Sequence, residues 1–334
     1  MSRRWILRLL ALGAALLLLA YGGASWKLFD LISRVDAHCG LADDGSPRFA
    51  AYTPAAFGTS GLPPKVAANV DIGAYAMPVY EDVAITSRDG LGLAAWWIPA
   101  DRPDAPVVVM AHGAGSCRRD PVMLLPAGML HRNGFAVLMV DLRNQGDSTV
   151  TDARFAGGTR EYLDVLGAWD WLLARGIPAS RIGLFGESNG ASTVVIAAGA
   201  EPRVAATWED SGYADTWAAI SEEVQRHGFP EQLTFGARLW GLLDGIDLDA
   251  HRPLDAIALI RDRPLMIVQG LADTRVDPQN AVEFNAALEA VRGHASPDNF
   301  WLVPGAEHVQ SAFTAPTEYE HRLVAFFGAA LGMP

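Results

Sequence analysis

Short, uninterrupted apolar runs that alternate with helix-like stretches constrain this fold most. Three of them, "VVVMA" from Val107, "AVLMV" from Ala136 and "LMIVQ" from Leu265, contain almost no polar residue. Such runs are typical of parallel strands that are covered on both faces. The stretches between them repeat their apolar residues with the 3.6-residue period of a helix. The alternation predicts one α/β domain in which helices flank a mostly parallel sheet.

Eight strand-like runs follow one another from Tyr80 onward. The first two are joined through "RDGLG", which predicts an antiparallel hairpin ahead of the parallel part. The expected strands are Glu81–Ser87, Leu93–Ile98, Val107–Ala111, Ala136–Val140, Arg181–Phe185, Val204–Trp208, Leu265–Val268 and Phe300–Val303. The expected helices are Pro121–Arg132, Thr159–Ala174, Asn189–Ala200, Pro278–Val291 and Thr317–Leu331.

One long insertion interrupts this rhythm between Asp210 and Pro264. It has helical character, no strand-like run, and aromatic residues such as Trp217, Phe229 and Trp240. Segments of this kind usually form a cap or lid over the carboxyl end of the sheet. We therefore expect a cap at about residues 211–263. Most of its aromatic side chains should pack the cap onto the body, and a few should line a pocket.

The N-terminal residues 1–29 predict a membrane anchor or a signal peptide. Arg3, Arg4 and Arg8 precede an uncharged run from Leu9 to Trp26. The length of this run lies between a signal-peptide core and a short membrane span. An uncleaved anchor is favoured, and the early arginines should keep the N-terminus inside. The expected location is the cell membrane, single-pass, with the domain on the extracytoplasmic side, or secreted or periplasmic after cleavage.

Residues 30–79 contain several prolines and no clear periodicity. They are expected to tether the N-terminal segment to the domain at 80–334 and to wrap its edge. The two cysteines, Cys39 and Cys117, exclude a disulfide framework. A single bridge between them is possible but has no support in the sequence, so the default expectation is two free thiols, with Cys117 buried and inert.

A serine between glycines follows the fifth strand run. The stretch "GESNG" places Ser188 between Gly186 and Gly190 and directly before the helix expected from Asn189. Small residues around a serine also suit any tight turn, so the pentapeptide alone does not identify a nucleophile. A strand before it and a helix after it are the context of a nucleophile elbow, which lifts a hydroxyl to the top of the sheet. In this context Ser188 is predicted to be a nucleophile.

A serine nucleophile needs a base and an orienting acid. "GAEHVQ" places His308 just past the last strand run, and "GLADTRVDP" places Asp273 just past the seventh. Two other carboxylates compete with Asp273. Asp277 is expected to cap the following helix, and Asp210 follows the sixth run. Asp273 is favoured as the acid and His308 is predicted as the base.

Donors for an oxyanion are expected from two backbone N–H groups. "HGAGS" turns out of the third strand, and its glycines allow the N–H of Ala114 to point inward. The second donor is expected to be the N–H of Asn189, directly after the nucleophile. His112, which opens this loop, is expected to hold the loop rather than to act as a base.

On the basis of these motifs, the region from about Tyr80 to Leu331 resembles the α/β-hydrolase family. "HGAG", "DLRNQGDS", "GESNG", "GLADTRVDP" and "GAEH" occur in the family's order, and within it the chain resembles bacterial membrane-anchored serine hydrolases and relatives of acyl-peptidase and dienelactone-hydrolase type. The resemblance implies an α/β-hydrolase fold and a triad in the chain order Ser188, Asp273, His308. Asn144 stands where the family has a glycine in a structural stretch, so this departure concerns the conformation of the loop.

The expected function is hydrolysis of ester-type acyl bonds through an acyl-enzyme, as in a carboxylesterase, on a small-molecule acyl ester. No metal or organic cofactor is implied. The net charge of −12 and the absence of clustered Lys and Arg argue against nucleic acid as a partner. A peptidase or acyl-aminoacyl hydrolase, a lipase, and an inactive scaffold used for binding are the alternatives. The oligomeric state is left open.

Overall fold

Eight strands form one sheet in the computed structural model, which describes residues 2–40, 46, 48–294 and 297–333. The strands are β1 (Glu81–Thr86), β2 (Gly92–Ile98), β3 (Val107–Ala111), β4 (Ala136–Val140), β5 (Ile182–Glu187), β6 (Ala206–Asp210), β7 (Leu265–Gly270) and β8 (Phe300–Val303). Their order in the sheet is β1-β2-β4-β3-β5-β6-β7-β8. β2 runs antiparallel to both of its neighbours, β1 and β4, and the other pairs are parallel, so the predicted hairpin and the mostly parallel sheet are confirmed.

Helices cover both faces of this sheet, which is why its central strands could be read as continuous apolar runs. The helices are α1 (Arg3–Ser33), α2 (Pro64–Ala67), α3 (Pro121–Arg132), α4 (Tyr162–Ala174), α5 (Asn189–Ala200), α6 (Thr216–Arg226), α7 (Gln232–Leu243), α8 (Pro253–Ile260), α9 (Gln279–Arg292), α10 (Ser311–Thr314) and α11 (Pro316–Leu331). One core lies between the sheet and α4, α5, α8 and α9, and the other between the sheet and α3, α10 and α11. This is the α/β-hydrolase architecture expected from the sequence.

The sixth strand begins two residues later than expected. The N–H of Val204 donates to the Glu201 carbonyl in a turn, so the extended pairing starts only at Ala206. The shift carries the strand through Asp210, whose carbonyl oxygen accepts a hydrogen bond from the N–H of Ser188 at 2.9 Å. This hydrogen bond connects the end of β6 to the turn at Ser188.

Three helices, α6, α7 and α8, occupy the insertion between β6 and β7, and the last turns of α1 pack against α6 and α7. Leu28 and Phe29 of α1 are buried with Ile220 and Val224 of α6 and Ala237 of α7. The helix α1 is long and apolar enough to cross a membrane, and a signal sequence near an N-terminus has the same properties. Its C-terminal end is therefore part of the domain's packing and not only a tether.

The segment after α1 folds back onto the domain, although its residues 41–45 and 47 lie outside the described residues. The expectation of two free thiols was wrong: Cys39 and Cys117 form a disulfide with their Cα atoms 5.0 Å apart. The two cysteines are 78 residues apart in sequence, and their proximity arises because this segment lies against the loop after β3, where Gly40 approaches the Gly115 carbonyl. No local pattern in the sequence encodes such a contact.

Asn144, at the position where the family pattern has glycine, adopts a left-handed backbone conformation. Its φ is 65°, in the left-handed region where asparagine is tolerated better than most residues. Its side-chain oxygen accepts from the N–H of Thr151 at 2.7 Å, and its amide donates to Asp152 at 2.7 Å. Nearby, buried Asp141 accepts from the N–H groups of Arg118 and Asp147. The loop keeps its turn, and the departure from the family pattern is absorbed by local hydrogen bonds.

Candidate active site

Ser188 occupies a strained turn between β5 and α5. Its φ of 54° and ψ of −124° are rare for a residue with a side chain and match the strand-to-helix elbow expected here. A Cβ at Gly186 would overlap the Gly190 carbonyl, and one at Gly190 would overlap the carbonyl of Ala111. Both flanking positions therefore require glycine, because backbone passes where a side chain would stand.

The structure brings Ser188, His308 and Asp273 together in one hydrogen-bonded line. His308 Nε2 lies 2.9 Å from Ser188 Oγ, and His308 Nδ1 lies 2.8 Å from Asp273 Oδ2. The two bonds are consistent when Nδ1–H donates to the carboxylate and Nε2 accepts from the hydroxyl. In that tautomer, Nε2 is able to receive the serine proton.

The Asp273 carboxylate is held by four donors. Besides His308, the amide of Gln269 donates to Oδ2 at 2.8 Å, and the N–H groups of Arg275 and Val276 donate to Oδ1 at 2.8 and 2.9 Å. Burial by itself would raise the pKa of Asp273, but the hydrogen bond and charge of His308 and the two backbone N–H groups outweigh it and lower that pKa. The group is thus an oriented carboxylate at neutral pH.

The other two candidate acids, Asp277 and Asp210, form hydrogen bonds with groups other than His308. Asp277 accepts a hydrogen bond from the N–H of Gln279 at 2.8 Å, as expected for a cap of α9. Asp210 is fully buried and accepts from Tyr319 Oη and Ser211 Oγ, each at 2.8 Å. Burial, only partly offset by these hydroxyl donors, raises the pKa of Asp210 to about 6.

The two expected oxyanion donors lie in the same cavity as Ser188. Ala114 and Asn189 line it, and neither backbone N–H donates a hydrogen bond within the described part of the chain. A Cβ at Gly113 would lie 3.1 Å from the Cβ of Ser188, so this loop runs directly past the serine. Two unpaired N–H groups beside a hydroxyl can stabilise a developing negative charge there.

His112 holds this loop, as the sequence indicated. Its Nδ1 lies 2.8 Å from the Gly113 carbonyl oxygen, and its Nε2 accepts from the N–H of Leu142 at 3.0 Å. Full burial lowers the pKa of His112, which keeps the imidazole neutral. The ring therefore fixes the backbone between β3 and Ala114.

Several residues that hold the candidate site in place were not predicted from the sequence. Gln145 accepts the N–H of Gly115 at 2.5 Å and thereby anchors the loop of Ala114. Tyr213 Oη donates to Asn189 Oδ1 at 2.5 Å. For Gln269 a signal existed, because a polar residue at the end of the apolar run "LMIVQ" needs a partner inside the protein. The contacts of Gln145 and Tyr213 depend on how the loops fold, so the sequence gives no comparable signal for them.

The cavity around Ser188 has a volume of about 300 Å³ and a largely apolar wall. Ile220 and Val224 of α6 form one side, as expected for the cap. The other side was not expected: Leu28, Leu31 and Ile32, from the last turns of α1, line the same cavity. The predicted anchor therefore also shapes the site.

Comparison with known proteins places this geometry in a family. The profile of the prolyl oligopeptidase family matches residues 125–334, a range that includes Ser188, Asp273 and His308. The chain belongs to the prolyl oligopeptidase family. As a member of this family, it is a hydrolase with the α/β-hydrolase fold.

The chain is also similar to other proteins and to solved structures. An uncharacterised protein of Mycobacterium tuberculosis is 25% identical over 234 residues, which are 70% of this chain and 73% of the relative. An esterase of Pyrococcus furiosus superposes with a TM-score of 0.60 and 25% identity over 76% of this chain and 92% of the esterase. A puromycin-hydrolysing peptidase of M. tuberculosis, at 20% identity and TM-score 0.58 over 78% of this chain and 40% of its own, shares the fold.

Proposed function

We propose that this hydrolase cleaves small acyl esters with Ser188 as nucleophile, His308 as base and Asp273 as the orienting acid. The observation that carries the proposal is the unbroken line of hydrogen bonds from Ser188 Oγ through both nitrogens of His308 to Asp273. The likeness to an esterase at 25% identity supports an ester as the substrate. Ala114 and Asn189 supply the oxyanion donors.

The reaction follows from this geometry. Ser188 Oγ attacks the ester carbonyl while its proton moves to His308 Nε2, and Asp273 stabilises the imidazolium that results. The carbonyl oxygen becomes an oxyanion that accepts from the N–H groups of Ala114 and Asn189. When the carbonyl re-forms, the alkoxide leaves with the proton from His308, and Ser188 carries the acyl group. A water molecule, deprotonated by His308, then attacks the acyl-enzyme. The bond between the acyl carbon and Ser188 Oγ breaks, the acid product leaves, and His308 returns the proton to Ser188 Oγ.

The test is the Ser188→Ala variant beside the Ser192→Ala variant. Ser192 lies one turn further along α5, and its hydroxyl accepts from the N–H of Tyr213 and donates to the Tyr213 carbonyl, so it is a matched control. A fluorophosphonate probe should label the wild type and the Ser192→Ala variant but not the Ser188→Ala variant, which should also lose p-nitrophenyl ester hydrolysis. Unchanged turnover in the Ser188→Ala variant would overturn the proposal.

A peptidase is the second candidate, because the chain belongs to the prolyl oligopeptidase family. The same three residues would serve amide hydrolysis, in which His308 protonates a leaving amine. Parallel kcat/KM measurements on short acyl esters and aminoacyl amides separate the two. Faster turnover of the amides, after allowance for their lower intrinsic reactivity, would favour the peptidase.

We further propose that α1 stays in the membrane as a single-pass anchor, with the domain on the extracytoplasmic side. Arg3, Arg4 and Arg8 precede the apolar run and favour an inside N-terminus. The disulfide between Cys39 and Cys117 supports an oxidising compartment for the domain. A signal-peptidase cut would shorten the chain by about 22–24 residues, which intact-mass measurement of membrane and soluble fractions distinguishes from retention.

A further inference from the structure

The helix α7 packs lengthwise on α1 and runs in the same direction. Tyr21 Oη of α1 donates to the carbonyl of Gln232 at 2.7 Å, at the start of α7. Near the other end, Gly241 lies within contact distance of the Phe29 ring. Between them, a Cβ at Gly236 would overlap the hydroxyl of Ser25, so the two helices approach closely.

One side of α7 is apolar and exposed. Phe235, Leu239, Leu242 and Leu243 lie at helical spacing on this side, and Phe235 and Leu243 are 74% and 70% exposed. We call these four residues the α7 face. Arg238, the one charged residue between Gln232 and Leu243, pairs with Asp249 instead and does not interrupt the face. A contiguous exposed apolar surface of this kind marks a contact site.

The position of the α7 face along α1 identifies what covers it. Gln232 and Gly236 lie beside Tyr21 and Ser25, inside the uncharged run that ends at Trp26. In a bilayer crossed by α1, the amino-terminal half of α7 is therefore at the depth of the last turns of that run. Within the α7 face Phe235 lies deepest, and Leu243 lies beyond Lys27 in the headgroup region.

We propose that the α7 face is a second membrane contact: α7 inserts its amino-terminal half into the leaflet next to α1. The inference rests on the proposed retention of α1. It goes beyond anchoring, because it fixes the orientation of the cap and hence of the cavity. Leu31, which lines the cavity, is five residues beyond Trp26, a helix rise of about 7.5 Å. Acyl esters dissolved in the same leaflet are the substrate class that this arrangement serves.

A kinetic comparison tests the consequence for substrates. In the full chain in phosphatidylcholine vesicles, the triple variant Phe235→Ser, Leu239→Ser, Leu243→Ser is compared with Leu259→Ser, which alters an exposed leucine of α8. The triple variant should lose on the order of tenfold in turnover of vesicle-dissolved p-nitrophenyl palmitate relative to aqueous p-nitrophenyl acetate, since its cap no longer holds the cavity in a fixed orientation at the leaflet. An unchanged ratio between the two substrates would overturn this consequence.

The decisive experiment measures depth without reference to activity. Single variants Phe235→Cys, Leu239→Cys and Leu243→Cys of the full chain carry an environment-sensitive maleimide fluorophore in vesicles, with Leu17→Cys and Leu259→Cys as inserted and aqueous references. Labels at Phe235 and Leu239 should be quenched by nitroxide lipids and protected from aqueous iodide, with the quenching greatest at Phe235 and least at Leu243.

Three results would overturn the proposal. Labels on the α7 face that behave like the one at Leu259 would show that the face lies in water. Protection from iodide without nitroxide quenching would mean that a second copy of the chain covers the face. A label at Leu17 that escapes nitroxide quenching would remove the inserted α1 on which the proposal depends. None of these outcomes bears on whether Ser188 is the nucleophile, so the failure of either proposal is distinguishable.

Discussion

Cys39 is disulfide-bonded to Cys117, and this bond ties the segment after α1 to the loop that carries Ala114. The bond closes a span of 78 residues, and such a constraint stabilises mainly by restricting the unfolded chain. It also fixes the approach of Gly40 to the carbonyl of Gly115, next to the candidate oxyanion donor. The disulfide therefore connects the packing of the segment after α1 to the candidate active site.

Removal of the disulfide should destabilise the domain. The double variant Cys39→Ala, Cys117→Ala should lose about 2–4 kcal/mol of unfolding free energy, measured by urea denaturation without reductant. Addition of a reductant to the wild type should lower its midpoint toward that of the variant and leave the variant unchanged. Equal midpoints for the two proteins would contradict a stabilising bond.

The acid of the site can be assigned with a matched pair of amide variants. In the Asp273→Asn variant, the new amide N–H can donate to His308 Nδ1, which moves the ring proton to Nε2 and prevents that atom from accepting the serine proton. The expected loss in kcat is about 10⁴-fold. The Asp210→Asn variant keeps the imidazole as it is, and its kcat should remain within about tenfold of the wild type.

Ester kinetics at neutral pH, with circular dichroism to verify folding, check this pair. A loss in the Asp210→Asn variant as large as that in the Asp273→Asn variant would reassign the acid.

The raised pKa of Asp210 makes stability depend on pH. With a folded pKa of about 6 and an unfolded value near 3.9, the folded state binds the extra proton between these limits. Unfolding free energy therefore falls as pH rises from 4 to 6, by on the order of 3 kcal/mol from this group. The Asp210→Asn variant lacks this contribution.

Urea denaturation of both proteins at pH 4, 5, 6 and 7 isolates the titration of Asp210 together with its charge coupling to Glu187 and Glu209, because groups that do not sense Asp210 cancel in the difference. The stability of the wild type relative to the variant should decline up to pH 6 and then level off. A difference that is constant with pH would mean that Asp210 titrates at its ordinary value.

The sequence predicted the parts of this protein that follow from periodicity along the chain. Ser188, Asp273 and His308 each come after a strand run, and the carboxyl ends of parallel strands meet at one edge of a sheet, so their convergence could be expected. The wall formed by Leu28 and Leu31 could not, because an apolar helix at an N-terminus gives no indication of its tertiary contacts. The same holds for the disulfide, which depends on how an aperiodic segment folds back.

The loop at Asn144 offers a test of backbone conformation. Both Asn144→Gly and Asn144→Ala remove the hydrogen bonds to Thr151 and Asp152, but only alanine must also adopt a φ of 65°. The Ala variant should therefore be less stable than the Gly variant by about 1–2 kcal/mol.

Asn133, at the end of α3, provides the control for this pair. Its φ is −99°, and its amide donates to the Met129 carbonyl at 2.8 Å. Alanine is unstrained there, and glycine leaves a more flexible unfolded chain, so Asn133→Ala should be at least as stable as Asn133→Gly. Urea denaturation of the four variants checks the reversal in order between the two positions. An Asn144→Ala variant at least as stable as Asn144→Gly would show that the positive φ of Asn144 carries no cost for alanine.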